Sequence, residues 1–455
     1  MDTETAYNAA LDYLYSFVDY SLKHASELAK ADFNLERMFA LMEALGNPQQ
    51  AYAIIHVAGT KGKGSACALM ASALQAAGYR TGLFTSPHLQ DYAERIQING
   101  QPIPHGQLVE MVEMVRGAVA RIPKLTTFEI TTALGFLYFA QQKVDAAVIE
   151  VGLGGRLDAT NVITPRVAVI TSLSYDHMVV LGNTLAQIAA EKAGIIKPGV
   201  PLVSAPQNEE ALQVIEKVAA ERNAPLTLVG RDVTFKPLTY SLDGQTFELS
   251  SFRLPPSSLR LRSGQAFTIP LLGAHQVENA AVAAAALWTA RRQGIAIDDA
   301  HIRQGFAAAN WPGRFEVVRR EPPVVLDSAH NRDAALKLRQ TLDLYFPGWP
   351  IMWVFATLED KDVLGMIEEL KPRLEQIIVT RLDHPRALEP EQIVALARQA
   401  GVGAEAATPA AAALARALEL AGERALVLSA GSVAFTGEVR AAWQKLERRV
   451  LRNEK

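Results

Sequence analysis

Cys67 is the only cysteine among 455 residues, which excludes an intrachain disulfide framework and predicts a reducing compartment. No stretch approaches the roughly 18 uninterrupted apolar residues that a membrane-spanning helix needs, so a membrane partner is not expected. Neither sign of charge dominates either: 45 Lys and Arg stand against 48 Asp and Glu, a formal net charge of -3. There is thus no electrostatic case for nucleic acid, and any anionic ligand has to be held by local positive groups. The opening residues MDTETAYNAALDYLYSF lack a basic stretch followed by an apolar one, so no signal peptide is expected and a cytoplasmic protein is. Cys67 lies among Ala66, Ala68, Leu69 and Met70 and reads as a buried small hydrophobe, not a nucleophile.

What is present is an ordinary globular chain, 49% hydrophobic, long enough for two or more domains. Between about 53 and 205, the apolar runs YAIIHVAG, RTGLFTS, AAVIEVG, VAVITSL and VPLVSA alternate with amphipathic stretches. Such alternation predicts an α/β fold whose mostly parallel sheet is covered on both faces. Ligands then sit beyond the carboxyl ends of the strands. Residues 226 to 272 alternate over short segments around a DG turn and predict a small antiparallel excursion. A helix is expected at about 275 to 293, and Pro312-Gly313 marks a boundary between a first domain, 1–310, and a second, 311–455. In the second domain PVVLDSAHN, IMWVFATLEDKD, QIIVTRLDHPRA and ALVLSAGS restart the alternation, a smaller α/β, Rossmann-like unit. The stretch 404 to 422, with Leu414, Leu418 and Leu420, reads as a packed helix.

The segment HVAGTKGKGS is a shortened phosphate loop. Gly59, Gly62 and Lys63 fit the usual pattern, but Gly64 occupies the hydroxyl position and Ser65 follows one residue late. Three glycines in six residues still allow close backbone approach, and a helix N-terminus still favours an anion, so nucleotide binding is expected. Other strand ends bring Ser86, Glu150 and His177 to the same edge, a set with oxygen donors suited to magnesium. Each has a bland alternative, such as a loop histidine bonded to Asp176, although Glu150 ends a buried run and needs a cation or donors.

Taken together, HVAGTKGKGS, TSPHL, ERIQING, EVGLGGRLDATN, AEKAGI, HQVENA, WPGRFE, DSAHN and PRA occur in the order found in folylpolyglutamate synthases, relatives of the Mur ligases that in many bacteria double as dihydrofolate synthase. The chain resembles that family over nearly its whole length. The resemblance implies ATP-dependent joining of L-glutamate to folate, and in a bifunctional enzyme to dihydropteroate, through an acyl phosphate. It implies that Gly59, Gly62, Lys63, Gly64 and Ser65 bind ATP, together with Asn279, Arg314, Asp327 and His330. It implies two magnesium ions, with Ser65, Ser86, Glu150, His177 and Lys192 as ligands, the lysine carried as a carbamate; Lys63, Glu150, His177 and Lys192 would be catalytic. Thr127, Phe128 and Glu129, with Arg156, Leu157, Asp158 and Ala159, resemble the pterin-side pocket, and Phe128 suits stacking on a flat heterocycle. Asp360, Lys361 and Asp362 resemble a surface-loop motif, and His384, Pro385 and Arg386 the glutamate side. A monomer is implied. The chain departs from the pattern at Lys61, where asparagine is more common, at Ser328 in place of glycine, and in GSV at 431 to 433. Another Mur-type amino-acid ligase, or a P-loop nucleotide switch without ligation, are the competing readings; the switch leaves Glu150, His177 and Lys192 unexplained.

Overall fold

The computed structural model describes residues 2–23, 27, 33–251 and 264–453. Its largest sheet has eight strands: β1 (Ala53–Ala58), β2 (Thr81–Phe84), β3 (Ile96–Ile98), β4 (Gln101–Pro102), β5 (Ala146–Glu150), β6 (Val167–Ile170), β7 (Leu202–Ser204) and β8 (Leu226–Leu228), in the order β4-β3-β2-β5-β1-β6-β7-β8. Six of them, β2 to β8 through β5, β1, β6 and β7, are parallel, whereas β3 and β4 add an antiparallel edge. Every residue of β2, β5, β6 and β7 is buried, which is why these strands read as continuous apolar runs. The chain leaves β1 in one direction toward β5 and β2 and returns on the other side to β6, so the crevice beyond the ends of β1, β5 and β6 is the sheet's switch point.

Three apolar cores cover the faces of this sheet, one of them formed where the helices Leu185–Ala193 and Glu209–Glu221 pack on β6 and β7. On one face the helix Lys63–Ala76 packs with the helices Ala274–Arg292 and Asp299–Ala308, and Cys67 is fully buried there. Small residues allow the approach: an added Cβ at Gly305 would lie 2.5 Å from the Ala73 nitrogen. On the other face the helices Thr3–Tyr15, Glu36–Ala44, His105–Val119 and Thr127–Gln141 share a core with Phe84, Phe136 and Phe139.

The antiparallel excursion consists of β9 (Val233–Ser241), β10 (Gly244–Ser251) and β11 (Gln265–Ile269), with the Asp243-Gly244 turn between the first two. Its expected start shifts, because 226–228 extends the parallel sheet as β8; residues 252–263 of the expected segment lie outside the described residues. The helix expected at 275 to 293 runs from Ala274 to Arg292.

After Pro312-Gly313 a six-stranded sheet forms from β12 (Glu316–Arg320), β13 (Pro323–Leu326), β14 (Ile351–Phe355), β15 (Leu374–Val379), β16 (Ala404–Ala406) and β17 (Leu426–Ala430), ordered β12-β13-β17-β14-β15-β16, with only β12 antiparallel. The expected helix over 404 to 422 is corrected. Ala404–Ala406 pairs with β15 as a strand, and the helix starts after Pro409, at Ala410–Ala421. Proline supplies the first-turn geometry there and lacks the N–H that a longer helix would require. Among the described residues no helix is long and apolar enough to cross a membrane.

Candidate active site

The turn after β1 is held from three sides. Thr60 and Lys61 donate their backbone N–H groups to the Ser172 carbonyl, at 3.0 and 3.1 Å. Gly62, with φ 82°, caps the helix Lys63–Ala76, and the Asn279 side chain stands where a Cβ would go, its Cγ 2.8 Å away. Gly64 is similarly overlaid by the Trp311 indole, 2.7 Å from an added Cβ. Asn279 and Trp311 therefore explain two of the glycines, and the helix N-terminus they shape presents backbone donors toward the cleft. Ser65 is buried at the start of that helix.

Glu150 ends β5 beside Val57 of β1. Its carboxylate is buried, with Lys63 Nζ at 3.9 Å and the Ser86 N–H donating at 3.3 Å. Burial pushes its pKa up, and Lys63, the Ser86 N–H and Arg314 only partly offset that. Lys192, in the helix Leu185–Ala193, is also buried and donates from Nζ to the Gly59 carbonyl at 2.9 Å. Burial, reinforced by Lys63, brings its pKa down to about 7.

Asp176 gathers two lysines and two histidines from separate segments: Lys61 Nζ at 3.3 Å, His330 Nε2 at 3.7 Å, Lys361 Nζ at 3.9 Å and His177 Nε2 at 4.0 Å; burial lowers the pKa of both imidazoles, so the lysines carry the charge. His177 itself takes a left-handed backbone, φ 49°, and its ring is half exposed at the cleft. From the far side, Asp327 follows β13 and accepts N–H groups of Phe315 and Ala329, each at 2.8 Å. Arg314, Asp327 and His330 thus face Gly59, Lys63, Ser86, Glu150, His177 and Lys192 across one cleft, with Asn279 in its wall.

The sequence motifs did not single out Asp176 as a hub or Lys361 as one of its partners. The latter was expected in a surface loop, yet it is largely buried against Asp176, whereas Asp360 pairs with Arg386 and Asp362 caps the helix Val363–Leu370. The signal available was the unusual Lys61, a cation in need of a counter-charge.

The residues expected on the pterin side are mostly committed elsewhere. Thr127 donates its hydroxyl to the Leu14 carbonyl at 2.9 Å. Glu129 accepts the Thr126 N–H at 2.8 Å and pairs with Arg37 at 3.2 Å. Asp158 accepts from Leu153 and Thr160 N–H groups at 2.8 and 3.0 Å, Ala159 is buried in the following turn, and Arg156 pairs at 2.8 Å with Glu191 on the outside. Phe128 is different: its ring covers Gly152, which lines the cleft, and Leu157 is half-buried nearby in sequence.

Comparison with known proteins places this arrangement. Residues 57–287 match the Mur ligase middle domain, and 313–433 match the Mur ligase glutamate ligase domain. The chain is 39% identical over 391 residues to the dihydrofolate synthase/folylpolyglutamate synthase of Bacillus subtilis, covering 84% of this chain and 87% of the relative. It belongs to the folylpolyglutamate synthase family of Mur-type ligases. The Lacticaseibacillus casei folylpolyglutamate synthase is 37% identical over 390 residues, with 84% of this chain and 87% of the relative covered. Among solved structures, Mycobacterium tuberculosis folylpolyglutamate synthase complexed with ADP superposes with a TM-score of 0.87 at 34% identity, covering 97% and 98% of the two chains. Family membership makes the protein an ATP-dependent ligase and accounts for a phosphate loop that a strict motif would reject.

Proposed function

We propose that the chain joins L-glutamate to the glutamyl carboxylate of a folate, and also to dihydropteroate, at the expense of ATP. The observation that carries this reading is the single cleft in which a phosphate-loop lysine, a buried carboxylate and a buried lysine from one sheet face an arginine, an aspartate and a histidine from the other. In this reading residues 1–310 form the nucleotide-binding domain and 311–455 the domain that completes the site; the enzyme works as a cytoplasmic monomer. A folate carboxylate oxygen attacks the γ-phosphorus and ADP leaves; the glutamate amine then attacks the acyl carbon, phosphate leaves, and the amine loses its proton. Both steps bring anions together, so positioning and charge neutralisation supply most of the rate.

The backbone N–H groups around Gly59, Gly62, Gly64 and Ser65, with Lys63, hold the triphosphate, and Arg314 adds a planar cation to it. Asn279, Asp327 and His330 bind the rest of the nucleotide. Phe128 and Leu157 offer apolar contact to the pterin side.

The donors fit magnesium. Ser65 and Ser86 hydroxyls and the Glu150 carboxylate are hard oxygen ligands, and Glu150 is buried with a cation no nearer than the 3.9 Å of Lys63. Among the described residues no three His, Cys, Asp or Glu side chains form a metal-holding group, so serine and lysine donors have to take part. His177 and Lys192 would hold a second ion once the lysine amine has added to CO2 and lost a proton; a pKa of about 7 leaves that amine substantially neutral. Bound magnesium would offset the repulsion between phosphate oxygens and the incoming carboxylate.

The test is a paired assay of purified protein with MgATP and glutamate, one tube holding tetrahydrofolate and the other dihydropteroate, with products identified by mass. Glutamate addition to both is the expected result. Addition to the folate alone would remove the dihydropteroate activity, and glutamate-independent ATP hydrolysis in both would replace the ligase with a switch.

A further inference from the structure

One face of the helix Val433–Asn453 touches three segments next to the cleft, at Leu89–Gln90, Glu316 and Asp327. Val433 lines the cleft itself. Thr436 donates its hydroxyl to the Asp327 carbonyl at 2.8 Å. Gly437 lies directly on the Leu89 backbone, where the carbonyl carbon would be 2.8 Å from an added Cβ. Arg440 donates from Nε to both Glu316 carboxylate oxygens at 3.0 Å and from Nη1 to the Gln90 side-chain oxygen at 2.7 Å. Positions 433, 436, 437 and 440 form one helical stripe.

The two partners of Arg440 lead straight into the site. Glu316 accepts the Gly313 N–H at 2.8 Å, immediately before Arg314. Gln90 closes the loop that begins at Ser86, and that loop has little freedom because Glu94 accepts the N–H groups of Leu89, Gln90 and Asp91 at 2.7, 3.1 and 3.0 Å.

We propose that Arg440 is a positioning residue that fixes the Ser86 loop relative to the Arg314 linker, through simultaneous bonds to Gln90 and Glu316. A guanidinium is needed because its fork reaches two acceptors on different segments in fixed geometry, which a single ammonium cannot reproduce. The assignment rests on the ligase reading insofar as Ser86 and Arg314 serve ATP. Misplacement of reacting groups by about 1 Å costs on the order of a hundredfold in rate, so a residue outside the cleft can act this strongly.

The full-length chain tests it with Arg440→Lys and Arg440→Gln, and with Gly437→Ala as a second route to displacing the helix. Binding of AMPPCP in the presence of magnesium, measured by calorimetry, is the first readout, and the kcat and KM split with tetrahydrofolate and glutamate the second. The expected result is a roughly ten- to hundredfold loss, carried by nucleotide affinity and kcat, with the KM for folate unchanged and with lysine no better than glutamine. Variants that melt at a lower temperature but keep AMPPCP affinity and kcat/KM within twofold of the parent would make Arg440 a purely structural tie and overturn the proposal. If the parent ligates nothing, the ligase reading falls on its own, and the AMPPCP arm still decides for or against Arg440.

Discussion

Glu150 and Asp327 are both carboxylates at the carboxyl ends of parallel strands, facing each other across one cleft, and burial raises the pKa of both. Their surroundings differ. Asp327 takes two backbone N–H groups at 2.8 Å, from Phe315 and Ala329, so its charge is spent on holding the chain around Arg314. Glu150 has one N–H at 3.3 Å and a lysine at 3.9 Å, too little to satisfy a buried carboxylate. The Asp327 carboxylate is thus largely satisfied by its own chain, whereas the Glu150 wall keeps under-compensated charge that a ligand completes.

Substitutions at the two positions should separate these roles. Glu150→Gln removes a charge that the fold does not need and the reaction does, so ligation should fall on the order of 10² to 10³-fold while the melting temperature holds or rises. A glutamine variant that unfolds more easily and still turns over would reverse the comparison. Asp327→Ala leaves the Phe315 and Ala329 N–H groups without an acceptor and should lower the free energy of unfolding by about 1 to 3 kcal/mol, read from urea curves. A stability within error of the parent would mean that water replaces the carboxylate.

Lys192 sharpens the contrast, because its amine also belongs to the wall awaiting completion. With a pKa of about 7, its neutral fraction grows about tenfold between pH 6 and pH 8, so protein stripped of CO2 should regain activity on adding bicarbonate much faster at the higher pH. Lys192→Met should be inactive with or without bicarbonate; reactivation that ignores pH would remove the carbamate. The smallest effect is expected away from the cleft. His105 stacks on Tyr7 and bonds to Glu4 and Asp91; burial pulls its pKa down, but the two carboxylates outweigh that and leave it raised. Its contribution to stability is full below the ordinary histidine value of about 6.5 and fades as pH rises through the folded-state value, and His105→Gln should flatten that slope in thermal melts.

Much of this was legible in the sequence for a physical reason: strands buried on both faces leave unbroken apolar runs, and the residues that follow them, such as Gly59, Glu150 and Asp327, mark the cleft. Short edge strands were not legible. β3, β4, β12 and β16 are two to five residues long and partly exposed, so none leaves an unbroken apolar run, and Ala404–Ala406 was absorbed into the alanine-rich helix beyond it. Motif order pointed to Lys192 and Arg314, but it could not say that Thr127, Glu129 and Asp158 spend their polar groups on neighbouring backbone and Arg37. Asp176 and Arg440 were invisible for a related reason: each derives its importance from partners that are distant in sequence, such as Gln90, 350 positions from Arg440.

The contact of Gly62 with Asn279 and of Gly64 with Trp311 has a temporal consequence. A chain emerging from the ribosome exposes its phosphate loop more than 200 residues before the side chains that back it. At about 5 to 20 residues per second, that interval lasts roughly 10 to 40 s, during which the small-residue helix Lys63–Ala76 lacks its packing partner Ala274–Arg292. The nucleotide loop is therefore among the last parts of the first sheet to mature, and the nascent chain spends that time with an apolar face open to chaperones.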